Sequence, residues 1–163
     1  MRITGCGFDP SLYTYNKVLV FNIGFDAKGQ DKDHWIYVPD PEYRFYRVGF
    51  YDNIFGSERM SLYVEIGMSP DESVNVELEY ERVLADLRKS GILADQKVVS
   101  WHSVLLDPAY VHIHGEGQKD ALRWRNHLAE RGVHSAGRYG AWKYCSIEDN
   151  ILEARELASR LIG

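Results

Sequence analysis

The chain has 163 residues, 45% of them hydrophobic and 26% charged, with a net charge of -5. That length allows a domain with a buried core, the composition is that of an ordinary globular protein, and the acidity, with no local basic run, argues against a nucleic-acid surface. No stretch approaches the ~18 apolar residues of a membrane span, the start Met1-Arg2-Ile3-Thr4-Gly5 lacks the apolar run of a secretion signal, and the two cysteines, Cys6 and Cys145, form no Cys-x-x-Cys pair; the expectation is a reduced, cytoplasmic protein.

Lys17 to Asp26 is a dense apolar run and reads as a buried strand. A short strand, His34 to Val38, stops at Pro39, and Asp40-Pro41-Glu42 makes a turn. Phe45 to Tyr51 and Ser61 to Gly67 are the next strands, and the short separations point to antiparallel neighbours. Then the period changes. Ser69-Pro70-Asp71-Glu72 has the form of a capping box with Pro at the first helical position. Val76, Tyr80, Val83, Leu84 and Leu87 follow at helical spacing, and Gly91 supplies a stop. Lys97 to Leu106 reads as a strand, Lys119 to Glu130 as a helix, and Val133 to Ala136 as a brief strand. The last helix takes Ser146 as N-cap with Asp149 three residues on, and Ile147, Ile151, Ala154, Ala158 and Leu161 form its apolar face. The fold class is α+β: a mainly antiparallel or mixed sheet with three helices.

Eleven Tyr, six Phe and four Trp fit either a strand-rich core or a pocket that stacks flat ligands, and composition favours the core. No phosphate-binding Walker loop is present, and Gly5-Cys6-Gly7 fails as a dinucleotide fingerprint because Pro10 stands where the third glycine belongs. His112, His114 and His102 make a weak metal pattern with no carboxylate to complete it, so no metal site is expected. Glu77, Glu79, Glu81 and Asp86 read as a solvated helix face. Arg47 and Glu65, charged residues within strand-like runs, either point into a cleft or are the outward residues of alternating strands, the second being commoner.

The segment from Gly137 to Ser146 combines several cues. Gly137 and Gly140 permit close backbone approach or positive φ. Arg138 offers a cationic fork, and Trp142 and Tyr144 offer flat surfaces. The helix that follows brings unpaired N–H groups and a dipole suited to an anion. The alternative is an ordinary turn with aromatic residues packed under it, and the residues alone leave both open.

The order of segments resembles the substrate-domain half of FAD-dependent amine-oxidase-like proteins, in the protoporphyrinogen-oxidase-like and UDP-galactopyranose-mutase-like branches. The resemblance rests on Asn22 to Asp26, His34 to Asp40, Phe45 to Phe50 and Ser61 to Glu65, on Pro108-Ala109-Tyr110-Val111, and on Gly137-Arg138-Tyr139-Gly140 through Tyr144 with the closing helix. It implies a substrate-binding-like domain over residues 1–136 and a turn and helix, 137–163, that would return to a FAD-binding domain. It implies FAD contacts from Gly137, Arg138, Tyr139, Gly140, Trp142, Tyr144, Ser146 and Ile147, and substrate contacts from Trp35, Tyr37, Arg47 and Tyr110. The function expected is the substrate-binding portion of a FAD-dependent oxidoreductase, inactive as an isolated chain and with weak or absent FAD binding of its own. Such a chain would self-associate or pair with a FAD-binding half. The alternatives are a non-catalytic module that binds a small ligand or partner, and a fragment of a UDP-galactopyranose-mutase-like flavoenzyme. His112, His114 and Glu116 depart from the mutase pattern after its Pro-Tyr segment, which weighs against a UDP-sugar substrate.

Overall fold

The structure, a computed structural model, describes residues 9–162, so Gly5-Cys6-Gly7 lies outside the described residues. The described residues form two compact units: 16–109, and 110–162 together with 9–15.

The larger unit is built on a five-stranded sheet. Its strands are β1 (Tyr15–Phe25), β2 (Trp35–Tyr37), β3 (Arg47–Phe50), β4 (Ser61–Met68) and β5 (Val98–Val111), lying side by side as β2-β3-β4-β1-β5. The β2–β3, β3–β4 and β4–β1 pairs are antiparallel, with Ile36 opposite Val48, Val48 opposite Val64, and Val64 opposite Phe21. Because side chains alternate across a sheet, this register gathers the apolar set on one face. Leu19, Phe21, Ile23, Leu62, Val64, Ile66, Val48 and Phe50 are all buried there. The helix α2 (Val76–Lys89) contributes Tyr80, Val83, Leu84 and Leu87 to the same core.

Several local readings change in the folded chain. The Ser69–Glu72 box closes a single turn: Glu72 N–H donates to Ser69 O at 3.2 Å and Ser69 N–H to Glu72 Oε2 at 3.3 Å. Val74 then packs on the core, and Asn75 caps α2 by accepting from Leu78 N–H at 3.0 Å. Burial of Val74 outweighs the local capping signal, so the helix starts at Val76 and not at Pro70. The strand expected through Tyr51 ends at Phe50 and passes into a short helix, α1 (Tyr51–Phe55), that turns Asp52 inward. Asp52 is 1% exposed; it accepts from Lys28 Nζ at 2.5 Å and from Ser61 N–H at 3.2 Å, so the buried charge is paired. Glu79, read as solvated, is buried between Arg44 Nε at 2.6 Å and Arg82 at 2.8 Å, while Asp86 caps the Arg44 N–H at 2.8 Å.

In the second unit, α3 (Gly115–Ala129) begins at His114, whose Nδ1 accepts from Gly117 N–H. His114 is thus a helix cap, while His102 lies on β5. Among the described residues no group of three or more His, Cys, Asp or Glu side chains is placed to hold a metal ion. Val133 to Ala136 is not a strand: Val133 N–H donates back to Leu128 O at 2.9 Å, and Ser135 O accepts from Arg125 Nε at 3.1 Å. These backbone groups are satisfied by α3 and need no sheet partner. A short helix, α4 (Gly137–Gly140), and a long one, α5 (Ile147–Ile162), complete the chain. The apolar stripe of α5 forms as the periodicity predicts, yet it buries nothing: Ile147 is 81% exposed, Ile151 63%, Leu161 58% and Ile162 87%.

Truncating Phe21 to Ala should lower stability by about 3–5 kcal/mol, whereas Ile151→Ala on the bare face of α5 should change it by less than about 0.5 kcal/mol. Denaturant unfolding of both variants checks the pair. A loss at Ile151 as large as that at Phe21 would mean that α5 is covered.

Candidate functional site

Residues that face away from the core make the outer surface of the sheet. Cross-strand pairing arranges them in two rows: Trp35, Gly49, Tyr63 and Asn22, and beside them Tyr37, Arg47, Glu65 and Val20. Arg47 donates to Glu65 Oε1 at 3.0 Å, and its guanidinium lies 5.0 Å from the Tyr37 ring centre and 5.5 Å from that of Tyr46. The Tyr46 hydroxyl donates to the other Glu65 oxygen. Gly49 is required for this surface, because a Cβ there would fall within 1.8 Å of the Tyr63 ring, which lies across it. Tyr51 packs on the same ring at 5.0 Å. Burial, then the nearby Glu65 charge, raises the Tyr63 hydroxyl above its ordinary pKa and keeps it a neutral donor. Trp35 and Tyr37 are 53% and 63% exposed, so the surface offers aromatic faces at one end and a compensated charge pair at its centre. Exposed aromatic faces are the chemistry that stacks flat ligands; with Glu65 across from it, Arg47 brings no net positive charge for a phosphate.

The second group surrounds α4. Gly137 stands at φ 80°, and a side chain there would meet Asn150 Oδ1 at 2.8 Å. Its N–H donates to Glu153 Oε2 at 2.9 Å, and Arg138 N–H donates to Asn150 Oδ1 at 3.1 Å, so α5 holds the turn through two polar side chains. Glu153 also receives Arg125 at 3.1 Å and Lys143 at 3.0 Å. Burial alone would raise its carboxyl, but the Gly137 N–H, Lys143 and Arg125 together hold it below its usual range. The Arg138 guanidinium donates to Cys145 O at 2.6 Å and lies over the rings of Tyr144 (5.0 Å) and Tyr110 (5.8 Å). Trp142 adopts φ 49°, packs edge-on against Tyr13 at 5.2 Å, and buries an indole N–H with no acceptor among the described residues. Tyr139 and Tyr144 are exposed, as is Ile147, the first residue of α5.

The N-terminus of α5 is filled by the chain itself. Ser146 N–H and Ser146 Oγ both donate to Asp149 Oδ2 at 2.8 Å, and Asp149 N–H donates back to Ser146 Oγ at 3.1 Å. Glu148 adds a second carboxylate to the first turn. This reciprocal box satisfies the end of the helix and offsets its dipole, and two carboxylates there repel a phosphate.

Of the residues expected to bind substrate, Trp35, Tyr37 and Arg47 share the sheet surface, while Tyr110 stands with Arg138 at the turn. Glu65 was visible in the sequence only as a charge in a strand; its pairing to Arg47 follows from register. Tyr46 and Tyr63 went unread because aromatic residues in strands ordinarily signal core. Asn150 and Glu153 went unread because nothing in their spacing marks them as partners of a turn more than ten residues earlier.

No family profile matches the sequence, and no curated protein matches it. Among solved structures, reduced UDP-galactopyranose mutase superposes with a TM-score of 0.70 at 23% identity, covering 83% of this chain and 31% of that one. A protein of Exiguobacterium sp. 255-15 assigned as a protoporphyrinogen oxidase superposes with a TM-score of 0.67 at 16% identity, covering 91% of this chain and 35% of that one. The chain thus spans about a third of the length of each of these proteins. At these identities the likeness is one of fold, and it falls on the two branches that the segment order resembles: the chain has the α+β fold found within a UDP-galactopyranose mutase and a protein assigned as a protoporphyrinogen oxidase.

Proposed function

We propose that this chain is the substrate-binding portion of a FAD-dependent oxidoreductase of the amine-oxidase-like group. The observation that carries the reading is the pairing of this fold with an outer sheet surface whose aromatic residues are exposed while its core face is closed. In this reading Trp35, Tyr37 and Arg47 line the substrate side, and Tyr63 presents a neutral hydroxyl to it. Tyr110 and the segment 137–163 belong to the flavin side, and the exposed stripe of α5 docks on the flavin-binding body.

The turn suits a flavin in part. Arg138 has further guanidinium N–H groups beyond the one given to Cys145 O, and the Trp142 indole N–H is a buried donor without an acceptor among the described residues. These two would hold a polar edge of FAD, with Gly137, Tyr139, Gly140 and Tyr144 shaping the approach. Ser146 and Ile147 lie where Asp149 and Glu148 disfavour a phosphate, so they suit a neutral hydroxyl-bearing part of the cofactor. When bound, the flavin supplies the hydride acceptor. The chain's own contribution is to stack and orient the substrate and to exclude water from one side.

A second reading, a non-catalytic module that binds a partner, draws on the same bare α5 face. The compensated charge of Arg47 counts against the third, a UDP-sugar enzyme, since a diphosphate calls for uncompensated cations.

Three outcomes follow. FAD titrated with the chain alone should show weak fluorescence quenching, with half-saturation of order 1 mM, and Arg138→Ala should remove it. A purified chain retaining stoichiometric flavin would overturn the shared-site reading. Glu153→Gln should destabilise the chain by about 1–2 kcal/mol, the range for charged hydrogen bonds discounted for partial exposure. Because the folded-state pKa of Glu153 is depressed, its stabilisation is present above the ordinary carboxylate pKa and fades as pH falls through the lowered one. Thermal melts of wild type and Glu153→Gln from neutral to acid pH should therefore converge at the acid end.

A further inference from the structure

We propose that the outer edge of β5, with the groove between Trp101 and α2, takes an extended peptide segment that carries a lysine or arginine. This inference is independent of the flavoenzyme reading and concerns a different surface, on the α2 side of the sheet. Among the described residues β5 is the outermost strand beside β1. An edge strand presents a row of backbone N–H and C=O groups able to pair with one more strand, and proteins usually blunt such edges with charges, prolines or short length. From Val98 to Leu106 this edge carries no proline and no Asp, Glu, Lys or Arg. Ser100, His102 and Ser103 are its polar residues, and its apolar ones are open on both faces: Val99 is 62% exposed, Val104 38% and Leu105 43%.

The groove supplies what strand pairing lacks, a preference for one side chain. It is a shallow, solvent-open groove of about 410 Å³ lined by Asn75, Glu77, Leu78, Tyr80, Glu81 and Trp101. Trp101 stacks on Tyr80 with ring centres 4.2 Å apart and planes 17° from parallel, and is itself 39% exposed. The lining holds two carboxylates and no cation. Glu81 is near Tyr80: after burial, its charge is the next cause of the raised Tyr80 pKa, and the charge of Arg88, outside the groove lining, opposes it. An indole face beside two carboxylates attracts an ammonium or guanidinium group. Strand addition brings that group to the right place, because a residue paired directly opposite Trp101 shares its face of the sheet, with Cβ atoms about 5 Å away. Backbone pairing gives affinity, the Trp101 groove selects a basic residue, and the acidity of the chain favours a basic segment.

The test is a titration of the full 15N-labelled chain with a short capped peptide of valine and threonine around a central lysine. Shifts confined to the amides of Val98 to Leu106 and to the Trp101 indole are expected. Glu77→Gln/Glu81→Gln and Trp101→Ala should each weaken binding by about threefold to tenfold. The double glutamine variant changes only exposed side chains, so it reports on binding even if Trp101→Ala misfolds. Methylating the backbone nitrogens of the peptide should abolish the shifts. Equal binding by the methylated peptide, by a peptide with glutamate for lysine, or by the double glutamine variant would overturn the proposal. So would concentration-dependent shifts of the same amides without peptide, which would show the edge pairing with a second copy of the chain.

Discussion

The sheet register is the constraint on which the rest of the larger unit depends. Val64 opposite Val48 on one side and Phe21 on the other sets every second residue of three strands against α2. A slip of one position would send Leu62, Val64 and Ile66 to the outer surface and bring Tyr63 and Glu65 into the core. The same register that closes the core therefore builds the candidate site. Trp35, Tyr37, Arg47, Tyr63 and Glu65 meet because they are the residues the core does not take.

The two units are stabilised differently. The sheet unit has a continuous apolar cluster from Leu19 to Leu93. The other relies among its described residues on polar ties: Tyr13 to Asp120 at 2.7 Å, Arg125 to Ser135 O and Glu153, and Asn150 and Glu153 to the backbone of α4. Burial and the Asp120 contact push the Tyr13 hydroxyl up to about 12, so it donates throughout the neutral range. A unit held by directed bonds keeps a specified turn geometry while the apolar residues of α5 stay exposed.

The turn around α4 is less suited to an anion than its sequence suggests. The N-terminus of α5 satisfies itself through Ser146 and Asp149. What remains as donors are Arg138, steadied by Tyr110 and Tyr144, and the buried indole of Trp142. A capping box and an anion site have the same signature in sequence, since both need a small polar residue before a helix; they differ in whether a carboxylate folds back.

Periodicity alone marked the strands between residues 17 and 67, the long helices and the apolar stripe of α5, because hydrophobic alternation is a local property of the chain; that β1 lies beside β4 and β5, and not beside β2, was decided by the fold. Trp35, Tyr37 and Arg47 are marked as substrate residues only through the resemblance of the segment order to a known family, not through periodicity. Only the tertiary structure decided that Arg47 is neutralised by Glu65, that Glu79 and Asp52 are buried ion-pair partners, and that Glu153 and Asn150 anchor Gly137 and Arg138. Those pairings join residues far apart in sequence, and their strength depends on burial. Neither distance in space nor exclusion of water is written in the spacing of residues along a chain.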